Sequence, residues 1–104
     1  MKTDSLKDFV LDQLRGLAEL EVRPMFGGFG LYAGGKFFGI HFQGRLYFKT
    51  SETTRAAYIE RGMKAFRPSA TQKLMSYYEV PADVIEDAPE LERWAREALS
   101  LASK

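Results

Sequence analysis

Histidine is the side chain best suited to acid–base chemistry near neutral pH, and this sequence contains only one, His41. Ser51 and Ser76 could act as nucleophiles only beside that histidine, and nothing in the sequence brings them together. The lack of cysteine and of a second histidine excludes thiolate and multi-histidine metal sites. We therefore predict a non-catalytic protein with no metal or cofactor, and we interpret His41 as a surface or interface residue.

A glycine-rich stretch, "RPMFGGFGLY" from Arg23 to Tyr32, suggests phosphate binding at first sight. A dinucleotide site needs G-x-G-x-x-G at the start of a helix, whereas Gly27, Gly28 and Gly30 give G-G-x-G and the chain continues as a strand. We predict that the glycines are structural: the first two bend the chain and Gly30 makes room for an aromatic ring. A small-molecule or enzyme pocket beside this stretch and His41 is the least favoured hypothesis.

Charge is distributed unevenly along the chain, although the net charge is only +1. Residues 1–21 hold three basic and five acidic side chains, residues 22–73 hold nine and two, and residues 74–104 hold three and seven. The basic centre could attract an anionic partner, or its charges could pair with the acidic ends on folding. No known DNA-reading motif is visible. The candidates for anion or nucleic-acid contact are Arg55, Arg61, Lys64, Arg67 and Lys73.

The periodicity of apolar residues predicts helices at both ends of the chain. Apolar residues spaced three and four apart predict the first helix over residues 5–18. Asp87 is a suitable N-cap for the last helix, whose apolar stripe includes Leu91 and Trp94. A further helix is predicted within "TSETTRAAYIERG", ending at Gly62. Its packing surface is assigned to Ala56, Ala57, Tyr58 and Ile59.

Between the first two helices the sequence predicts consecutive antiparallel strands. Gly34-Gly35 and Gln43-Gly44 are two-residue hairpin signals between aromatic and β-branched runs. Pro24 cannot donate to a sheet ladder, so its strand belongs at an edge or an irregularity. In "KFFGIHF", strict alternation places Phe38, Ile40 and Phe42 on one face and Phe37, Gly39 and His41 on the other.

One more strand, "KLMSYYEV", follows Pro68 and completes the predicted fold. The element order is α-β-β-β(-β)-α-β-α. We expect a single α+β domain over residues 1–104, a two-layer sandwich with an antiparallel sheet and helices on one face.

Two long segments resemble a known family. "RPMFGGFGLYAGGKFFGIHFQGRLYFKT" and "MSYYEVPADVIEDAPELERWAREAL" closely resemble the N-terminal domain of the TfoX/Sxy family, and the likeness extends over about residues 9–101. The resemblance implies an α+β sandwich related to secretion-chaperone-like folds. It supplies no catalytic residue.

The resemblance also implies a role. Larger family members are bacterial regulators of natural competence that act with a cyclic-AMP receptor protein at promoters of DNA-uptake genes. They carry a second domain that this sequence lacks, so we expect a stand-alone regulatory or adaptor domain that binds a protein. The family-motif residues, taken as candidates for partner binding, are Arg23, Met25, Phe26, Gly27, Gly28, Gly30 and Tyr32.

The remaining expectations concern location and assembly. The N-terminal segment lacks the apolar run of a signal peptide, and no stretch reaches the roughly 20 apolar residues of a membrane span, so we expect a cytoplasmic protein without membrane contact. Direct DNA binding remains the alternative to a protein partner, and a dimer is compatible with the sequence.

Overall fold

Two hairpin turns organise the first half of the sheet. In a computed structural model, which describes the backbone of residues 4–25, 27–69 and 72–102, the central residues of both turns have positive φ. The values are 59° and 82° at Gly34 and Gly35, and 51° and 75° at Gln43 and Gly44. Positive φ at both central positions is the type I′ geometry, which matches the twist of antiparallel strands. The predicted hairpins are therefore confirmed.

The described elements form two layers, one of β-strands and one of α-helices. The sheet has six antiparallel strands in the order β1-β2-β3-β4-β6-β5. The elements are α1 (Asp4–Gln13), β1 (Leu20–Met25), β2 (Gly28–Ala33), β3 (Lys36–Phe42), β4 (Arg45–Lys49), α2 (Glu52–Glu60), β5 (Ala65–Ser69), β6 (Gln72–Glu79), α3 (Ala82–Ile85) and α4 (Ala88–Leu101).

The main core lies between the helices and one face of the sheet, as the α+β prediction requires. Its buried residues come from α1, α2, α3, α4 and four strands. Tyr58 of α2 and Trp94 of α4 meet edge to face with ring centroids 4.7 Å apart. Their exposed fractions are 1% and 6%, so this contact joins two helices deep inside the core. Asp87 caps α4 by accepting a hydrogen bond from the Glu90 amide, as predicted.

The packing surface of α2 is narrower than predicted. Tyr58 is its buried residue, whereas Ala56 and Ala57 are exposed and Ile59 is 54% exposed. Four consecutive residues of a helix cannot share one face, because each is rotated by about 100° from the last. The prediction for α2 was therefore wrong for three of the four residues.

A bulge in β3 changes which side chains face the core. Tyr32 pairs with Phe37 and Leu31 pairs with Gly39, which leaves Phe38 as the extra residue. Phe38 consequently lies in the main core, while Phe37 packs with Ile40 on the opposite face. The strict alternation predicted for this strand was wrong on the N-terminal side of the bulge, because one inserted residue reverses the pattern.

Three further differences separate the structure from the predicted element order. The strand β5 and the short helix α3 were not predicted, and α1 ends at Gln13 instead of residue 18. Beyond Gln13 the amides of Arg15 and Leu17 bond to carbonyls three residues earlier, next to Gly16, a poor helix former. Pro68 lies within β5, which is tolerated because β5 is an edge strand. Pro24 likewise lies in β1, the opposite edge, as predicted.

A close approach of two backbones at Gly28 generates the first prediction. A Cβ at this position would lie 2.3 Å from the backbone oxygen of His41, so the β2–β3 ladder would have to move. We expect Gly28→Ala to lower the free energy of unfolding by about 1–3 kcal/mol. Gly16→Ala is the matched control, since its Cβ would meet the end of the Glu92 side chain, which can rotate away. Equal urea-unfolding midpoints for the two variants would contradict this account.

The burial of Tyr58 generates a pH prediction. Burial, and secondarily the negative charge of Glu97, raise the pKa of Tyr58 well above its ordinary value of 10.0. The folded domain therefore keeps this proton at pH values where the unfolded chain loses it. Stability should be independent of this group below about pH 9 and should fall by about 1.4 kcal/mol per pH unit above about pH 10.

Urea unfolding across the alkaline range measures that slope. Tyr58→Phe retains the ring and removes the ionisable hydroxyl, so its slope should be shallower by about the same 1.4 kcal/mol per pH unit. An identical slope in the two proteins would show that Tyr58 ionises equally in the folded and unfolded states.

Candidate functional site

The side of the sheet that faces away from the helices, here called the open face, carries aromatic side chains from several strands. Tyr32 and Phe37 have ring centroids 5.1 Å apart, and Phe37 and Tyr77 have centroids 5.6 Å apart. A cation lies over each end of this row: the Arg23 guanidinium is 4.5 Å from the Tyr32 ring centre and Lys49 Nζ is 5.3 Å from the Tyr77 centre. The row is therefore a connected series of π contacts with basic ends.

A second group of rings continues the open face toward β5. Phe66 contacts Phe42 and Tyr47, with centroids 5.3 and 4.7 Å apart. Phe66 is fully buried, Tyr47 is 8% exposed, and Phe42 is partly exposed. Burial raises the pKa of Tyr47, aided by the Glu79 carboxylate, and burial also raises the pKa of Tyr77. These hydroxyls therefore remain protonated at neutral pH, so the rings described between Arg23 and Lys49 carry no charge.

The structure brings most of the family-motif residues to the open face. Arg23 lies opposite Gly30 and Met25 lies opposite Gly28 in the β1–β2 ladder. A Cβ at Gly30 would lie 3.0 Å from the Met25 sulfur and 3.1 Å from the rings of Phe37 and Tyr32, so this glycine makes room for aromatic side chains as the sequence predicted. Gly27, with φ 81°, occupies the turn between the strands. Phe26 lies outside the described residues.

Arg23 is accessible on this face. Its side chain is 54% exposed and donates a hydrogen bond of 3.2 Å to Glu21. Surface pairs of this kind contribute little to stability, so the guanidinium can exchange its partner. Met25, Tyr32 and Phe37 are each partly exposed beside it.

His41 is buried on the helix-facing side of the sheet. It pairs with Phe29 and Leu46 in the ladders, its ring centroid is 6.1 Å from that of Phe29, and only 2% of the residue is exposed. The prediction of a surface or interface histidine was therefore wrong. A substrate could not reach this ring without the helices moving, and among the described residues no group of His, Cys, Asp and Glu is arranged to hold a metal ion.

The basic candidates whose side chains the structure describes do not lie on one surface. Arg61 donates a hydrogen bond of 2.7 Å to Asp83, and its guanidinium lies 5.6 Å from the Trp94 ring centre. This hydrogen bond lowers the pKa of the Asp83 carboxyl. Arg55 lies over the Tyr78 ring at 5.8 Å. The side chain of Lys73 lies outside the described residues.

The other two basic candidates, Lys64 and Arg67, line a depression beside the segment that connects α2 to β5. This basic depression has a volume of about 770 Å³. Lys64 and Arg67 are exposed in its lining, and within the part of the chain that the structure describes neither has an ion-pair partner. Arg45 also lines it and is paired with Glu79 at 3.1 Å. The central basic segment is thus partly neutralised by the acidic C-terminal segment and partly open.

Sequence reasoning missed the apolar part of the basic depression. Ile59 and Met63 line it with the cations. Ile59 was predicted to lie on the packing surface of α2, together with Tyr58. The available signal was helical phase, since a residue next to a fully buried one points about 100° away from it.

The whole of both surfaces falls within one family match. A family model described as the TfoX N-terminal domain matches residues 12–102. The chain belongs to this family. The matched range of this TfoX N-terminal domain contains the open face, the basic depression and the buried His41. A comparison with curated proteins found no match. Among residues 4–25, 27–69 and 72–102, no helix has the length and apolar character needed to cross a membrane.

The exposure of the basic side chains predicts that they can be replaced without loss of the fold. We expect Arg23→Glu and the double variant Lys64→Glu/Arg67→Glu to unfold within about 0.5 kcal/mol per substitution of the parent, as measured in urea. Tyr58→Ala provides the contrast and should cost about 3–5 kcal/mol, because it empties a large buried site. Destabilisation of the surface variants as large as that of Tyr58→Ala would mean that these cations support the fold.

Proposed function

We propose that this TfoX N-terminal domain is a non-catalytic regulatory or adaptor domain that binds a protein through the open face and acts in transcriptional regulation. Membership of the family supports the regulatory setting. The observation that carries the binding mode is the aromatic row with basic ends, to which the motif residues Arg23 and Tyr32 contribute, on the side of the sheet that no described helix covers.

The chemistry of the open face suits a protein partner. Aromatic residues, methionine and arginine are enriched at the centres of protein interfaces, and lysine and acidic residues are depleted there. Phe37 is partly exposed and lies between the rings of Tyr32 and Tyr77. Tyr32, also partly exposed, lies between the Phe37 ring and the Arg23 guanidinium, so little side-chain entropy is lost when a partner covers either ring. Arg23 can exchange Glu21 for an acceptor on the partner.

The same geometry explains why we propose binding instead of catalysis. The only histidine is buried among core residues. Ser51 is used as the N-cap of α2, where its hydroxyl accepts from the Thr54 amide at 3.2 Å. Neither residue is placed where it would meet a ligand on the open face.

The first experiment uses a purified cyclic-AMP receptor protein, the partner class that the family suggests. We expect this TfoX N-terminal domain to bind it, and we expect the double variant Arg23→Glu/Met25→Glu to lower the affinity at least about tenfold, about 1.4 kcal/mol. Arg15→Glu is the matched control, because Arg15 is 76% exposed on the turn that follows α1, away from the open face. Calorimetry measures both.

If the cyclic-AMP receptor protein does not bind, a second experiment tests the open face against other proteins. Immobilised parent and Arg23→Glu/Met25→Glu proteins are compared for retention of proteins from a bacterial lysate. A protein retained by the parent and by Arg15→Glu but lost from the open-face variant would support the proposal. Identical retention by all three proteins would contradict it.

A second candidate, direct nucleic-acid binding through the central basic segment, is favoured by the exposed and unpaired state of Lys64 and Arg67 among the described residues. Two phosphate contacts predict weak binding to a DNA duplex and a slope of about −2 in log affinity against log salt. Lys64→Glu/Arg67→Glu should abolish it. Tight binding with a slope near −5 would mean that all five basic candidates reach the phosphates, and it would favour this candidate over a protein partner.

A further inference from the structure

We propose that the basic depression is a second docking site, which takes an acidic peptide segment carrying an aliphatic side chain from a partner protein. The inference rests on the proposed function in one respect: an adaptor joins two molecules and therefore needs a second surface. The depression has unpaired cations, an aliphatic lining and a backbone held by hydrogen bonds.

The backbone around the basic depression is fixed by hydrogen bonds. The chain leaves α2 through Gly62, with φ 78°, and the Met63 amide donates to the Tyr58 carbonyl at 3.0 Å. The Lys64 carbonyl then accepts from the Glu79 amide at 3.0 Å, which ties the start of β5 to β6. The segment between helix and strand is therefore held at both ends, and a ligand would meet a surface that is already formed.

The charge of the depression calls for an anion. Three cations, Arg45, Lys64 and Arg67, line it against one carboxylate, Glu79, which Arg45 already engages. Elsewhere the same basic segment does find acidic partners, as Arg61 does with Asp83. The two unpaired cations are thus available for the carboxylates of another chain.

The apolar lining calls for more than an anion. Ile59 is 54% exposed, and Phe9 is the other large apolar side chain that is exposed among the described residues. Met63 lies partly buried beside the cations. Covering these side chains with an aliphatic group would remove apolar surface from water, which favours binding. A lining that combines aliphatic side chains with unpaired cations matches an acidic peptide with an aliphatic anchor.

The aromatic residues of the depression argue against a nucleic acid. Single strands bind by stacking their bases on accessible rings. Tyr47 and Tyr78, the aromatic residues of the lining, are each only 8% exposed, and Tyr78 is already covered by Arg55. A nucleic acid would therefore find phosphate contacts here without a stacking platform.

The test measures fluorescence anisotropy of three labelled peptides of equal length with the purified protein. The first contains glutamates, aspartates and two leucines; the second replaces every acid by its amide; the third replaces the leucines by serine. We expect the first to bind and each of the others to bind at least about tenfold more weakly. Lys64→Glu/Arg67→Glu and, separately, Ile59→Asp should each weaken binding of the first peptide by a similar factor.

Two controls separate this inference from the proposed function. Arg15→Glu should bind the first peptide like the parent, and so should Arg23→Glu/Met25→Glu, because its substitutions lie on β1, at the far edge of the sheet from β5. The open face can therefore lose its partner while the depression still binds the peptide, and the reverse also holds.

Several outcomes would overturn the inference. Equal affinity for the acidic and amide peptides would remove the charge argument, and unaltered binding by the Lys64→Glu/Arg67→Glu protein would place the peptide elsewhere. Binding of a labelled single-stranded oligonucleotide, with no binding of the peptides, would assign the cations to nucleic acid. A dimer in sedimentation that the depression variants dissociate, again without peptide binding, would make a second copy of the chain the occupant.

Discussion

The structure depends on one asymmetry: all described helices pack on the same face of a six-stranded sheet. The α4 stripe and the Tyr58–Trp94 contact fill the helix-facing side with large side chains. No described helix covers the apolar residues on the other side of the sheet, so these residues bury one another. They do so as aromatic pairs, with Phe66 and Ile40 completely or almost completely buried at the centre of a smaller cluster. The same arrangement that stabilises the sheet therefore leaves partly exposed rings at its β1–β3 end.

Local irregularities in β2 and β3 determine which rings reach that face. The extra residue Phe38 lets two successive phenylalanines serve opposite layers, Phe38 in the main core and Phe37 in the aromatic row. The glycines of β2 complement the bulge. Gly28 allows the β3 backbone to approach, and Gly30 leaves the space that the Met25 and Phe37 side chains fill. Side chains at Gly28 and Gly30 in a regular pair of strands would disrupt both the β2–β3 hydrogen bonds and the aromatic row of Tyr32, Phe37 and Tyr77.

Local signals accounted for much of the fold. Hairpin turns, the cap of α4, and the edge position of Pro24 depend on residues close together in sequence, and each was predicted correctly. The bulge at Phe38 depends on the pairing register of β2 and β3, and the sequence of β3 alone does not indicate that register. The strand β5 was missed because a proline near its end was taken as a boundary, although an edge strand tolerates one.

The site was less predictable than the fold for the same reason. The motif "RPMFGGFGLY" was recognised, but the joining of Tyr32 to Phe37 and Tyr77 depends on three strands that are distant in sequence. The basic segment was also visible in the sequence. Which of its side chains pairs with Asp83, lies over the Tyr78 ring or remains exposed to solvent depends on the folded positions of those partners. Tyr47 connects the two surfaces, since its ring packs on Phe66 and also lines the basic depression. The cations at the ends of the aromatic row, Arg23 and Lys49, and the unpaired cations of the basic depression, Lys64 and Arg67, all come from the basic centre of the sequence.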